Sequence, residues 1–253
     1  MNASAPTRSE RAEPVTTEVR LLFDEQWSRV YRQIDERTGD AAFEHYGALL
    51  TTLTDSFRRP IDVLDIGCGT GRYFHRLRNV RQLLGLDLSA HMLEQARSPV
   101  RAGEICAQSI DLMCADLRSI ALPDASFDFI YSVGVLGEYS PLDDYVLNTC
   151  RRLLRPAGML LITAVDAASR VSVPENSAPS LLRRAMRKSW PLLPATVRSA
   201  SNHWLSPCYL TRARLERLLA KSGFMKVDIT PYPHSSGWLG THFDCVAVNS
   251  SAD

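Results

Sequence analysis

The run Val63-Leu64-Asp65-Ile66-Gly67-Cys68-Gly69-Thr70-Gly71-Arg72 carries the residues best suited to chemistry in this chain. It opens as an apolar segment, Ile61 to Ile66, interrupted only by Asp62 and Asp65, and closes on three glycines at alternate positions. Arg72-Tyr73-Phe74-His75-Arg76-Leu77 follows and reads as a helix. A buried strand, a tight turn and a helix start account for this order. Glycines let the backbone turn sharply and let a ligand lie against the main chain, and a helix start presents free N–H groups. A second acid, Asp87, closes the next apolar run, Leu83-Leu84-Gly85-Leu86. It falls about twenty residues after the first glycine, the spacing at which nucleotide-binding turns set a carboxylate on ribose hydroxyls. A turn serving only to pack a helix on a strand has no need of two acids at strand ends in register with it.

The glycine spacing separates two kinds of ligand. A dinucleotide turn reads G-x-G-x-x-G, whereas here Arg72 stands where the last glycine belongs. Asp65, two residues before the first glycine, adds negative charge where a pyrophosphate would lie and suits a ligand that carries an ammonium group. The run VLDIGCGTG, followed by GLDLSAHMLEQAR, resembles the class I S-adenosylmethionine (SAM)-dependent methyltransferases. The resemblance covers Asp40 to Val248, less an insert from Ala167 to Pro207. It implies a doubly wound, mostly parallel sheet of about seven strands with the last one antiparallel, and SAM as cofactor. It also implies roles residue by residue. Asp65 would lie near the methionine ammonium, through water or backbone, and Gly67, Gly69 and Gly71 would let the main chain pass against the methionine and ribose. Asp87 would accept from both ribose hydroxyls, as one carboxylate can. Leu88 and Met92 would flank the adenine, Asp116 would accept from its amino group, and Leu117 would offer a backbone N–H to a ring nitrogen. Val133 would line the methionine side, and Tyr31, on an N-terminal helix, would touch the cofactor; a helical aromatic also suits a core. Asp116 also suits a turn or helix cap.

Composition sets limits. The 253 residues fit one large α/β domain or one domain with a cap. A formal net charge of +1 argues for neither nucleic acid nor a membrane as a global partner. Six cysteines form no C-x-x-C pair and no metal-spaced set with histidine, so they read as reduced thiols of a cytoplasmic protein, with no metal site. No apolar run is long enough to span a bilayer, and no secretion signal opens the chain.

Taken in order, residues 1–16 read as a disordered tail and 17–253 as one domain. Residues 17–58 hold two amphipathic helices, one through Val19, Leu22, Phe23, Trp27, Val30 and Tyr31, the next from Asp40 to Leu53, before Pro60. Ser89 caps a helix with Met92, Leu93 and Ala96 on one face. Strands follow at Ile110–Ala115 and Phe127–Val133, then a helix from Asp143 to Leu154. Arg155-Pro156-Ala157-Gly158 turns the chain into a strand from Met159 to Val165. Repeated strand–helix alternation implies a parallel sheet with helices on both faces. Thr211 caps a last helix that Gly223 ends. Phe224–Thr230 and Phe243–Val248, with no helix between them, pair antiparallel.

Methyl transfer asks the protein mainly to align two partners and exclude water. An O–H or N–H acceptor must also lose a proton. After the fourth strand the stretch is Val133-Gly134-Val135-Leu136-Gly137-Glu138-Tyr139, without the histidine many small-molecule methyltransferases carry there. Tyr139, His203, His234 and His242 are the candidates left for a substrate-facing base, each also readable as a satisfied or surface residue. His75 and His91 read as structural. The insert, 167–207, reads as a helical lid. Between Ala167 and Trp204 it holds Arg170, Arg183, Arg184, Arg187, Lys188 and Arg198 against Glu175 alone. That pattern fits an acidic acceptor, peripheral contact with an anionic membrane bearing a lipid-linked acceptor, or a solvated face. The expected activity is methyl transfer to O or N of a small molecule. The alternatives are an NAD-type oxidoreductase on the same architecture and a SAM-binding protein without catalysis. No basic domain and no N/D-P-P-Y/F motif points to nucleic acid. Acceptor identity and oligomeric state are not encoded in any recognisable pattern.

Overall fold

The computed structural model describes residues 23–37, 40–167, 208–233 and 241–250. The tail, the insert beyond residue 167 with His203 and its arginines, and His234 lie outside the described residues.

Seven strands form one sheet in the order β3-β2-β1-β4-β5-β7-β6. They are β1 Ile61–Ile66, β2 Val80–Asp87, β3 Ser109–Cys114, β4 Phe127–Ser132, β5 Leu154–Val165, β6 Met225–Pro233 and β7 Thr241–Val248. All pairs are parallel except those of β7, which runs antiparallel to both β5 and β6. The described helices are α1 Glu25–Asp35, α2 Ala41–Asp55, α3 Ala90–Ala96, α4 Asp144–Leu153 and α5 Arg212–Lys221. No helix among the described residues is long and apolar enough to cross a membrane.

The alternation of side chains along a strand divides the core in two. Leu64, Ile66, Ile130, Leu160 and Ile162 face α4 and α5, packing on Val146, Leu147, Leu153, Leu215 and Leu219. Ile61, Val63, Phe129, Tyr131 and Leu161 face the other way, onto Phe43, Tyr46 and Leu50 of α2 and Leu93 of α3. Every residue of β1 and β4 is buried, as strands covered on both faces must be. The caps follow the sequence: Asp40 accepts from Ala42 and Phe43 N–H, Ser89 from Met92, Asp143 from Val146 and Thr211 from Arg214. Gly223, at φ +77°, closes α5.

Four expectations need correction. The segment after the glycine turn is not a helix; only Phe74–Arg76 makes a single 3₁₀ turn. Helix α2 takes the place of the missing crossover helix. Its Thr51 hydroxyl donates to the Arg76 carbonyl (2.7 Å), its Thr54 hydroxyl accepts from Arg78 N–H (2.9 Å), and Phe43 stacks on Tyr73. Side chains of α2 thus supply partners that a helix would have drawn from its own backbone. Second, β5 begins at Leu154, so Arg155–Gly158 is an irregularity inside the strand, with Ala157 at φ +61°. Third, β7 begins at Thr241, which brings His242 into the sheet opposite Val165 and Tyr232. Fourth, His91 is exposed on α3 rather than part of the core. His75 is buried, and burial lowers its pKa to about 4.

Candidate active site

The carboxyl ends of β1, β2, β3 and β4 open on a cavity of about 430 Å³, where open α/β sheets place ligands. Asp65 occupies the fifth position of β1. Its side chain points away from the α4/α5 core, beside Tyr131, whose hydroxyl donates to Asp65 Oδ2 at 2.6 Å. Asp65 is 4% exposed. Burial first, and the nearby Asp87 charge after it, push its carboxyl up to about 8 against the pull of the Tyr131 hydrogen bond. Asp87 ends β2, and its two oxygens accept Gly69 N–H at 2.9 Å and Ser89 N–H at 2.8 Å. A carboxylate has about four lone-pair directions, so two remain for a ligand. Burial raises its pKa also, opposed by those backbone donors.

The glycines divide their duties. Gly67 sits at φ +75°, and a Cβ there would lie 2.4 Å from Val135 Cγ2, so the turn must pass close under the loop after β4. Gly67 and Cys68 N–H both donate to the Leu86 carbonyl, at 2.7 and 3.0 Å, tying the turn to β2. Gly69, at φ +54°, has nothing within 4 Å of its missing Cβ. It alone of the three leaves open space beside the main chain. Gly71 is the exception to the expected set. It does not line the cavity, and its missing Cβ would meet the Phe74 ring at 2.8 Å. Its part is in the turn.

Tyr31, Asp65, Gly67, Gly69, Asp87, Leu88, Met92, Asp116, Leu117 and Val133 all line the cavity. Asp116 also accepts Arg118 N–H at 2.9 Å, so the turn reading and the cavity reading hold together. The acidic wall has a consequence. Asp40, Asp65, Asp87, Asp116 and Glu138 line the cavity with the cations Arg72 and Arg118. Arg118 pairs with Asp143 at 3.0 Å, and Arg72 Nε lies 3.0 Å from Asp35 Oδ1. A pyrophosphate would find acids and paired arginines here; a sulfonium and an ammonium would find counter-charges.

The N-terminal helix is held over the turn by a clamp the sequence gives little sign of. Asp35 of α1 accepts the Thr70 hydroxyl and neighbours Arg72, whose guanidinium lies 5.0 Å from the Phe43 ring centroid. Burial raises the Asp35 pKa against these partners. Ser89 donates to the Phe23 carbonyl, and the Phe23 ring meets Tyr31 and Tyr139 edge-on at 5.8 and 5.2 Å.

The loop after β4 coils about one carbonyl. Glu138, Tyr139 and Ser140 N–H all donate to Val135 O, at 3.2, 3.0 and 2.9 Å. Glu138 and Tyr139 thereby reach the cavity, and Glu138 is 8% exposed. His242 of β7 joins them, its Nε2 3.7 Å from Glu138 Oε2. Of the substrate-facing candidates, Tyr139 and His242 are therefore brought to the site. Glu138 and Tyr139 stand where the resemblance implies substrate-facing groups, after the fourth strand.

Residues 63–158 match the family model described as a methyltransferase domain. In that match and in its strand order the chain is similar to the class I SAM-dependent methyltransferases. It is 34% identical over 113 residues to a malonyl-[acyl-carrier protein] O-methyltransferase of Pseudescherichia vulneris, covering 44% of this chain and 42% of that protein. To an O-methyltransferase of Penicillium expansum it is 29% identical over 171 residues, 66% of this chain and 53% of that one. The chain thus spans about half the length of these curated relatives. The magnesium protoporphyrin IX methyltransferase of Synechocystis PCC 6803, solved with bound S-adenosylhomocysteine (SAH), shares the fold at TM-score 0.61 and 16% identity. That match covers 93% of this chain and all of the other.

Proposed function

We propose that this methyltransferase moves the methyl group of SAM to an O or N atom of a small-molecule acceptor. The observation that carries the reading is the acidic rim at the carboxyl ends of three neighbouring strands, Asp65 in β1, Asp87 in β2 and Asp116 just past β3, around the open main chain at Gly69. In this reading Asp65 faces the methionine ammonium and Asp87 takes the ribose hydroxyls on the lone pairs that Gly69 and Ser89 leave. Asp116 and Leu117 hold the adenine edge, with Leu88 and Met92 on its faces and Val133 and Tyr31 toward the methionine. When bound, SAM supplies the activated methyl group. The protein supplies alignment and a water-poor cavity. Two O-methyltransferases among the relatives support oxygen as the receiving atom.

Calorimetry with SAM, SAH and NAD, followed by transfer of labelled methyl from SAM into a small-molecule extract, tests the reading. SAM and SAH should bind and NAD should not. Binding of NAD without SAM would return the chain to the oxidoreductase alternative, and binding without any transfer would leave a SAM-binding protein.

A further inference from the structure

We propose that Glu138 and His242 together take the acceptor's proton, and that the acceptor is a protic O–H or N–H group rather than a free carboxylate. This rests on the methyl-transfer reading above and adds to it the chemistry of the second substrate.

The two side chains come from separate elements, the loop after β4 and the second residue of β7, and meet at the cavity wall. Both are buried, His242 at 3% and Glu138 at 8% exposure. Nε2 and Oε2 stand 3.7 Å apart, too far for a direct hydrogen bond. One heteroatom at about 2.8 Å from each fits between them. A histidine beside a carboxylate is a proton acceptor whose positive charge the carboxylate then stabilises. The loop after β4 has no histidine of its own, and β7 supplies one from about a hundred residues further along the chain.

The surroundings argue the acceptor's class. A carboxylate set against Glu138 would meet like charge, while the arginines of the same wall face Asp35 and Asp143. A carboxylate also has no proton for a base to remove. Tyr31 and Tyr139 line the same cavity and add aromatic surface beside the polar pair. Other titratable groups frame His242. Asp244 lies two residues along β7 on the same face and is itself 2.5 Å from His45 of α2. Tyr46 of α2 lines the cavity, and Tyr232 pairs with His242 across β6.

In the step, a lone pair of the acceptor forms the new bond to the methyl carbon. The carbon–sulfur bond breaks with its electron pair moving to sulfur, which loses its positive charge. The acceptor's proton passes to the Glu138–His242 pair, so charge and atoms balance.

The test uses the full chain with SAH bound, ¹³C-labelled histidine, and three probes: phenol, aniline and benzoate. The His242 ring resonance is identified by its absence in H242Q. It should shift on adding phenol or aniline and not with benzoate. An unmoved resonance with the first two, or a larger shift with benzoate, overturns the proposal. For whichever probe accepts labelled methyl, H242Q and E138Q should each lower kcat about a hundredfold or more. Calorimetry with SAM checks that the variants remain folded and loaded. Parent-like kcat in both variants would overturn the proposal while leaving the methyl-transfer reading intact. Failure of the parent to bind SAM would sink that reading itself.

Discussion

Asp65→Asn offers the sharpest test of how the cavity is built. The carboxyl is 4% exposed, accepts one hydrogen bond from Tyr131, and has its pKa pushed up to about 8 by burial. In the unfolded chain the same group titrates near 3.9. The sign follows from linkage. Between those values the folded protein holds a proton the unfolded chain has released, so the stability of the unliganded protein falls as pH rises through the window. The slope is about 1.4 kcal/mol per pH unit, giving on the order of 4 kcal/mol by pH 7 and levelling off above pH 8. Asparagine is close to isosteric, keeps an oxygen for the Tyr131 hydroxyl, and does not titrate. The variant should therefore gain on the parent steadily from pH 4 to pH 8 in urea unfolding without cofactor. With cofactor the order should reverse in affinity. An ammonium beside Asp65 favours its charged form, so SAM binding to the parent at pH 7 should release a proton and binding to the variant should not. Calorimetry in two buffers of different ionisation enthalpy reads that proton directly. Parallel stability curves for parent and variant from pH 4 to pH 8 would refute the reasoning, because they would mean that Asp65 ionises at no unusual cost.

Three further changes test separate parts of the structure. Asp87→Ala removes the acceptor of the Gly69 and Ser89 donors as well as the proposed ribose contact. SAM affinity measured by calorimetry should fall by about 1.5–3 kcal/mol, and an unchanged value would take Asp87 out of the site. Gly67→Ala combines a positive φ with a Cβ placed 2.4 Å from Val135. It should lose about 2 kcal/mol or more of unfolding free energy, whereas a fully stable variant would show that the turn can relax. Asp128, at 2% exposure, accepts from Arg59, Arg155 and the Asp62 N–H. Its replacement by Ala should cost about 2–4 kcal/mol, with solvent near the arginines moderating the loss, and should leave SAM affinity alone because it lies at the other end of β4 from the cavity.

The local patterns of this sequence were enough to place most of the fold and the acidic strand ends that line the cavity, because each signal there is short-range. Asp65, Gly67 and Gly69 follow one strand within a few residues. Asp87 ends the next strand, and Ser89 caps the helix behind it, with its hydroxyl on Met92 N–H as capping chemistry requires. The stretch from Arg72 to Leu77 failed as a helix for a tertiary reason: Thr51, Thr54 and Phe43 of α2 satisfy and cover it from outside. Arg72 itself was legible only as a missing glycine, although its guanidinium lies against Phe43 and beside Asp35 of α1. The acceptor side was illegible for a different reason. Whether His242 points to the cavity or away depends on the register of β7 with β5, which sets it opposite Val165. A one-residue slip would turn it to the other face. Its neighbour Glu138 reaches the same wall because three N–H groups gather on the Val135 carbonyl, a turn with no distinctive residue spacing. A cofactor whose charge is fixed can be read from acids at strand ends. An acceptor recognised by a pair assembled from two distant segments can be read only once the sheet has brought them together.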